Sequence, residues 1–392
     1  MRNKAGLGKT RIKTGKQKYR DRKEVRDRGV LNENQDFKAI GGQKIRPVCF
    51  LFFLLSVLSG AQVLPAQPAG PSGKGGSFSF CLENDVWLKR DDGYTNGVQL
   101  MWVSPGLGEK SSSSFLRFLN RLNVRLLGQD DRKNQQLRFS GTNYRRAALS
   151  LVQGMFTPAD LTKEEVVPAD RPYAGLLCAG LTLIRGTSLR QDSLGLAIGL
   201  VGSHSYAESL QRWLHRTYGW VYPEGWKNQL RDEPVLEIWF NRQWTLVAPR
   251  PSASGLSSAV KAGVGGQLGN LMTAAEAILD LRLGFNLQPE ADSFSPAPLF
   301  GQIELTPAEK TSLYLLLRVE GKAIDRNLLL EGNTFTDSHS VELNHFYGQL
   351  ISGLVYRSAE AALSFYWVLR TKEFKGQRYF DPYCGLTFSF NL

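Results

Sequence analysis

Twelve times along this chain, a segment of about ten residues alternates apolar and polar side chains until a cluster of Gly, Pro, Asp, Asn or Ser ends it. The series opens with SFSFCLEN, GVQLMWVS, AALSLVQGMF, GLLCAGLTLI, SLGLAIGLVG and PVLEIWFNRQW. It continues with SAVKAGVGGQL, AAEAILDLRLGF, SLYLLLRVEG, YGQLISGLVY, AALSFYWVLR and YCGLTFSFNL. Period-2 alternation is the signature of a strand with two unlike faces. No helical stretch longer than about 18 residues interrupts the series. Soluble sandwiches alternate too, so the pattern leaves the choice between sandwich and barrel to other features.

Three features favour a transmembrane antiparallel β-barrel. The segments approach the 9–11 residues that a tilted membrane strand needs, their number is even, and the chain carries an export signal. That signal is PVCFLFFLLSVLSGAQ, whose apolar core from Val48 to Leu58 is too short to span a bilayer, where about 20 residues are required. Ser59 and Ala61 stand at −3 and −1 of a cleavage site. Residues 1–61 therefore read as a basic leader plus signal peptide, with an uncleaved inner-membrane anchor as the competing reading. Residues 62–76 form a Pro/Gly-rich linker, and 77–392 the barrel. Trp102, Tyr173, Trp239, Trp244, Tyr347, Tyr366, Trp367 and Tyr383, near strand ends, are candidates for interfacial aromatic girdles. Closure also removes the sheet edges that a bilayer does not tolerate.

The net charge of +12 suggests a polyanion partner only until it is located. Of 48 Lys+Arg and 36 Asp+Glu, 15 and 5 lie in residues 1–46, which leaves 33 and 31 for the rest. The main body is nearly neutral, and nucleic-acid binding is not expected. Cys49 lies in the signal, and Cys81, Cys178 and Cys384 form neither a disulfide framework nor a metal-binding spacing.

An even-stranded barrel has both termini on one side, here the periplasm. Every odd-to-even connection is then extracellular. One such loop contains SYAESLQRWLHRTYG, residues 205–219, the one helix-like stretch among the outer loops. Ser205-x-x-Glu208 fits a capping box, Gly219 fits a C-cap, and Gln211 and His215 would share a face. Asn84 and Asp85, Thr95 and Asn96, Thr157 and Lys163 fall on the same rim. Residues 106–141 form the one long inward connection. Their FLRFLNRLNVRLL core predicts an amphipathic helix, either on the barrel's inner membrane surface or as a plug.

Such a rim has the parts for ester hydrolysis. His215 would take a proton from water. Asp85, with Asn84 and a further carboxylate such as Glu83 or Glu224, would offer oxygen ligands suited to calcium. The cation would polarise the carbonyl and hold the oxyanion, with Lys163 as an auxiliary point charge. Each part also has a plainer use. Asn84–Asp85 is an ordinary turn pair, Asn96–Gly97 a hairpin signal, and Lys163 sits in the charge run TKEE. His204, His339 and His345 read as structural or surface residues. No Gly-x-Ser-x-Gly elbow, zinc, P-loop or dinucleotide pattern occurs.

Nearly all of the chain from Phe78 onward resembles the outer-membrane lipid A 3′-O-deacylases. The signposts are LENDVWLKRDDGYTNGVQLMW, QGMFTPADL, DRPYAGLL, QRWLH, GWKNQL, GQLGNLMT, RNLLLEGNTFTDSHSV and RTKEFKGQ. The resemblance implies a twelve-stranded barrel in the outer membrane that removes the 3′-linked acyloxyacyl group of lipid A with calcium, and a monomer is expected. It matches His215 to the water-activating histidine, Gln211 to its helical neighbour, and Asn84 and Asp85 to an essential pair. It further implies a functional Thr, Lys and Glu, which we place at Thr95, Lys163 and Glu224. The chain departs from the family in the loop start VGSHSYAESL, in its C-terminal Leu392 and in the long insertion at 106–141. A passive porin-like barrel and a barrel phospholipase are the rival expectations.

Overall fold

The computed structural model describes residues 76–85, 93–111, 113–128, 144–250, 255–288, 294–296, 301–303 and 311–392. The leader, signal peptide and nearly all of the linker lie outside the described residues.

All twelve expected segments are strands, and they close into one barrel. In chain order they begin with β1 (Ser77–Asn84), β2 (Gly93–Val103), β3 (Tyr144–Thr157), β4 (Ala174–Gly186), β5 (Arg190–Val201) and β6 (Glu233–Val247). Next come β7 (Leu256–Gly269) and β8 (Met272–Phe285), then a separate two-stranded sheet of β9 (Phe294–Pro296) and β10 (Gly301–Ile303). The barrel resumes with β11 (Ser312–Asn327), β12 (Phe346–Arg357), β13 (Ala361–Arg370) and β14 (Asp381–Asn391). Neighbours pair antiparallel, and β14 closes on β1 in a register from Ser77↔Asn391 to Asn84↔Cys384. β11 runs beyond its expected end, crossing a bulge between Ile324 and Arg326, so KAIDRN is wall rather than loop.

Strands β8 and β11 show why the alternation works. Leu279, Leu281, Leu283 and Phe285 of β8, with Leu313, Leu315, Leu317 and Val319 of β11, are exposed on the outside. Between them, Asp280, Arg282, Arg318 and Glu320 point inward and are buried. Apolar atoms face lipid while charges neutralise one another within the lumen. Asp280 accepts from Arg282 Nε at 2.9 Å and from Arg318 Nη2 at 2.5 Å. Lys322 lies 3.0 Å from Glu320 and 3.3 Å from Glu276. On the opposite wall, Tyr94 and Tyr366 both donate to the Glu83 carboxylate at 2.7 Å. Trp239, Arg357 and Tyr383 are among the largest fully buried side chains.

That packing corrects the girdle assignment. Trp239, Tyr347, Tyr366 and Tyr383 are lumenal, and Tyr173 is buried against Trp226. Trp102, Trp244 and Trp367 keep the outward parity. Alternation distinguishes two faces but does not say which is wet, and a tyrosine suits the interior when a carboxylate accepts its hydroxyl proton. Cys81, Cys178 and Cys384 are free and buried.

Helix α1 (Ser114–Leu127) is capped by Ser113, whose hydroxyl accepts from Leu116 N. It packs on Ala147 and Leu183. These share parity with Leu149 and Leu181, a cross-strand pair on the barrel exterior. The insertion helix is therefore not a plug.

Candidate active site

At the end of the barrel opposite the termini, one row of outward positions crosses four strands. Asn84 stands opposite Asn96, Asn96 opposite Met155, and Met155 opposite Gly175. This row has the parity of Leu100 and Leu151, which are exposed on the exterior. Helix α2 (Ala207–Tyr218) rests on it, with Ala207 packed among Met155, Tyr173 and Trp226.

Gly175 permits that seating. A Cβ there would lie 2.1 Å from Ser205 Oγ and 2.5 Å from Ala207 Cβ. We expect Gly175→Val to push α2 off the wall and slow the reaction assigned below by about a hundredfold, the scale of a 1 Å misplacement. Heat-modifiable migration on a gel should persist, because the new methyl groups lie outside the barrel. Unchanged turnover would show that α2 needs no such seat.

The ends of α2 differ from expectation at one terminus only. Gly219 is the C-cap, at φ 69°, and its N–H donates to the His215 carbonyl. The capping box does not form. Residues Ser203–Ser205 make a 3-10 turn in which Ser205 Oγ donates to the Gly202 carbonyl at 2.6 Å. The N-cap is instead Tyr206, held in the left-handed region at φ 60°. Glu208 pairs with Arg212 and accepts from Gln229.

Gln211 and His215 both face the protein and are 2% exposed. Gln211 Oε1 accepts from Trp226 Nε1 at 2.6 Å, which fixes the amide. Its Nε2 is buried and has no hydrogen-bond partner among the described residues. A buried donor left open costs about 1–3 kcal/mol unless a bound oxygen answers it. His215 Nδ1–H donates to the Val221 carbonyl. That carbonyl can only accept, so the neutral ring has Nε2 as its basic nitrogen. Burial pushes the imidazole below its ordinary pKa of 6.5, and the Val221 bond offsets part of the shift. Trp220 packs edge-on against the ring at 5.5 Å.

The β1–β2 end carries the second group. Asp85 is fully buried, and its N–H reaches the Thr95 carbonyl at 3.5 Å. Thr95 Oγ1 lies 2.7 Å from Thr157 Oγ1, across the bulge between Tyr94 and Asn96. Asn84, Asp85 and Thr95 thus gather at one strand end. Their amide, carboxylate, hydroxyl and carbonyl oxygens are donors of the kind a hard cation takes. Among the described residues, no group of three or more His, Cys, Asp or Glu could hold a metal ion. A site here would draw on neutral oxygens as well.

Lys163 and Glu224 are not drawn in. Lys163 is exposed, 4.0 Å from Asp160. The glutamates of its charge run pair instead with Lys227, which lies 2.9 Å from Glu164 and 3.2 Å from Glu165 and ties two outer loops together. Glu224 is exposed, and its N–H donates to the Leu161 carbonyl at 2.9 Å. Thr157, expected on this rim, does meet Thr95 there, whereas Trp226 and the Val221 carbonyl were not anticipated. Only Trp226 had a sequence signal, as the aromatic of GWKNQL. His204 pairs with Asp232, while His339 and His345 bond backbone carbonyls, consistent with structural roles.

A family model described as outer membrane protein LpxR matches residues 49–392. Among solved structures, LpxR from Salmonella typhimurium is 18% identical, covers 81% of this chain and 100% of its own, and superposes with a TM-score of 0.64. The β domain of the Bordetella autotransporter BrkA is 10% identical over 81% of this chain and 98% of its own, with a TM-score of 0.38. No curated protein sequence matches the chain significantly.

Proposed function

The chain belongs to the LpxR family of outer-membrane proteins, and from that premise we propose that it is a lipid A deacylase. Its reaction would be hydrolysis of the 3′-linked acyloxyacyl ester in the outer leaflet. The observation that carries this reading is the Gln211–His215 pair. It combines a ring whose tautomer is set by Val221 with an amide whose spare N–H is buried, both on a helix docked against the lipid-facing wall.

In this reading His215 Nε2 takes a proton from the attacking water, and Gln211 Nε2–H donates to the oxygen that gains charge. Asn84 orients the ester, and Thr95, braced by Thr157, contacts the sugar or acyl oxygen. Lys163, exposed on its loop, would offer its charge to a substrate phosphate. Calcium would be held by Asp85 together with the Asn84 amide and the neutral oxygens beside them, without Glu224, which is exposed on its own loop. When bound, the ion supplies Lewis-acid polarisation of the ester carbonyl. A well-packed lumen that includes Trp239, Arg318 and Tyr366 favours this reading over an open porin.

Mass spectrometry of total lipids from cells expressing the chain tests the assignment. Lipid A is expected to lose one acyloxyacyl unit, with the loss abolished by chelator and restored by calcium. Asp85→Asn is expected to raise the calcium concentration required. Glycerophospholipids cleaved in place of lipid A would favour the phospholipase rival, and lipids unchanged in a correctly inserted barrel would favour a passive one.

A further inference from the structure

The reaction leaves helix α1 unused, at the opposite end of the barrel. Its buried face, with Leu116, Leu119 and Asn123, sits on the outward side chains Ala147 and Leu183 and on the backbone between them. Asn123 Nδ2 donates to the carbonyls of Ile184, at 2.9 Å, and Arg146, at 3.2 Å, while its Oδ1 accepts from Arg145 Nη1 at 2.8 Å. Arg185 and Arg145 donate to the carbonyls of Leu127 and Gly128, which closes the helix C-terminus. The helix is thereby fixed to the wall at one height and rotation.

That rotation leaves two stripes uncovered. Phe115, Phe118 and Leu126 are each about half exposed, at 49%, 51% and 51%. They share a flank with Leu122, at the i, i+3, i+7, i+11 spacing of one helix face. Arg117, Arg121 and Arg125 recur every four residues on the adjoining face and are exposed. Arg117 is occupied by the Ser111 carbonyl and Ser114 Oγ. The apolar flank continues the lipid-facing row Leu149–Leu181–Leu196, because the positions under α1 are the next outward ones on the same strands. A soluble partner would have to compete with bilayer for a surface that is already part of the barrel's hydrophobic belt.

We propose that α1 is an interfacial helix that holds anionic glycerophospholipid in the periplasmic leaflet. Phe115, Phe118 and Leu126 enter the acyl region, while Arg121 and Arg125 bind the headgroup phosphate. An apolar flank beside a row of arginines is the arrangement by which helices lie in a membrane interface. The assignment is independent of the chemistry at His215.

The test uses the full mature barrel reconstituted in nanodiscs of equal phosphatidylethanolamine and phosphatidylglycerol. Spin labels are placed through Phe118→Cys and, as a water-exposed reference, Lys110→Cys; the native cysteines are buried and stay unlabelled. The label at 118 should be reached by oxygen and shielded from a nickel chelate, with the opposite at 110. In native mass spectrometry, Arg121→Gln/Arg125→Gln should retain phosphatidylglycerol about thirtyfold more weakly, at about 1 kcal/mol per basic residue. Phosphatidylethanolamine, whose ammonium offsets its phosphate, should lose far less retention. Both arginines are exposed, so the variant is expected to fold, which gel migration verifies. Nickel access at 118 equal to that at 110 would mean that the flank faces water and would overturn the proposal. So would undiminished phosphatidylglycerol retention by the double variant.

Discussion

Replacing His215 by Ala is expected to lower the rate of lipid A deacylation about a thousandfold, within the range contributed by a positioned general base. The barrel should still insert and migrate as a folded species, because the side chain leaves a small gap beneath an outer loop rather than a charge in the wall. His215→Gln refines the test. Its amide can still donate toward the Val221 carbonyl, which now receives the Nδ1–H, but it cannot accept a proton at neutral pH. Restored α2 packing without restored rate would separate positioning from proton transfer. The wild-type profile supplies a third readout. Burial disfavours the imidazolium, so the base stays neutral down to a pH below its ordinary value of 6.5. The rate should fall as pH drops through that lowered pKa. The unfolded chain binds the proton more readily just below 6.5, so acidification between 6.5 and the folded pKa costs stability before it costs rate. A rate within tenfold of wild type in the alanine variant would remove His215 from the chemistry.

The strands were legible because a membrane wall imposes the same rule at every position. In DLRL and LRVE the leucines and valine meet lipid and the charges meet one another. What depends on which side of the wall a residue occupies was not legible. Tyr366 and Trp239 looked like interfacial anchors but are lumenal. FLRFLNRLNVRLL suited a plug as well as a surface helix until Ala147 and Leu183 were seen beneath it. The helix carrying Gln211 and His215 could be read from its periodicity and from Gly219. Its seat could not, since nothing local links Ala207 to Gly175. The missed partners share that property. Trp226 reaches Gln211 across fifteen residues, and Lys227 reaches Glu164 across sixty-three. A capping box is a local pattern too, but the turn at Ser203–Ser205 took Ser205 for another carbonyl.

Asp280→Ala is expected to destabilise the barrel by about 3–5 kcal/mol, measured from urea unfolding in lipid vesicles. The carboxylate is fully buried between two guanidinium groups. Asp280 and Arg318 are direct cross-strand neighbours on β8 and β11. Removing it leaves Arg282 and Arg318 as like charges with no counterion between them, and the lost anion costs more than the pair contributed. Replacing all three, as Asp280→Leu/Arg282→Met/Arg318→Met, should recover most of that loss, because the two guanidinium groups that shared the carboxylate are removed with it. The triple variant gives up something else. In the native strand, a one-residue slip would put Asp280 and Arg282 into the hydrocarbon and Leu281 into the lumen. That error costs about 2–4 kcal/mol for an arginine at the bilayer midplane. With leucine and methionine at these positions only Glu276 still opposes the slip on β8, so the triple variant should approach wild-type stability while giving more misfolded product on insertion. A loss below about 1 kcal/mol for Asp280→Ala would mean that water screens the two arginines, and the description of a packed lumen would then be wrong.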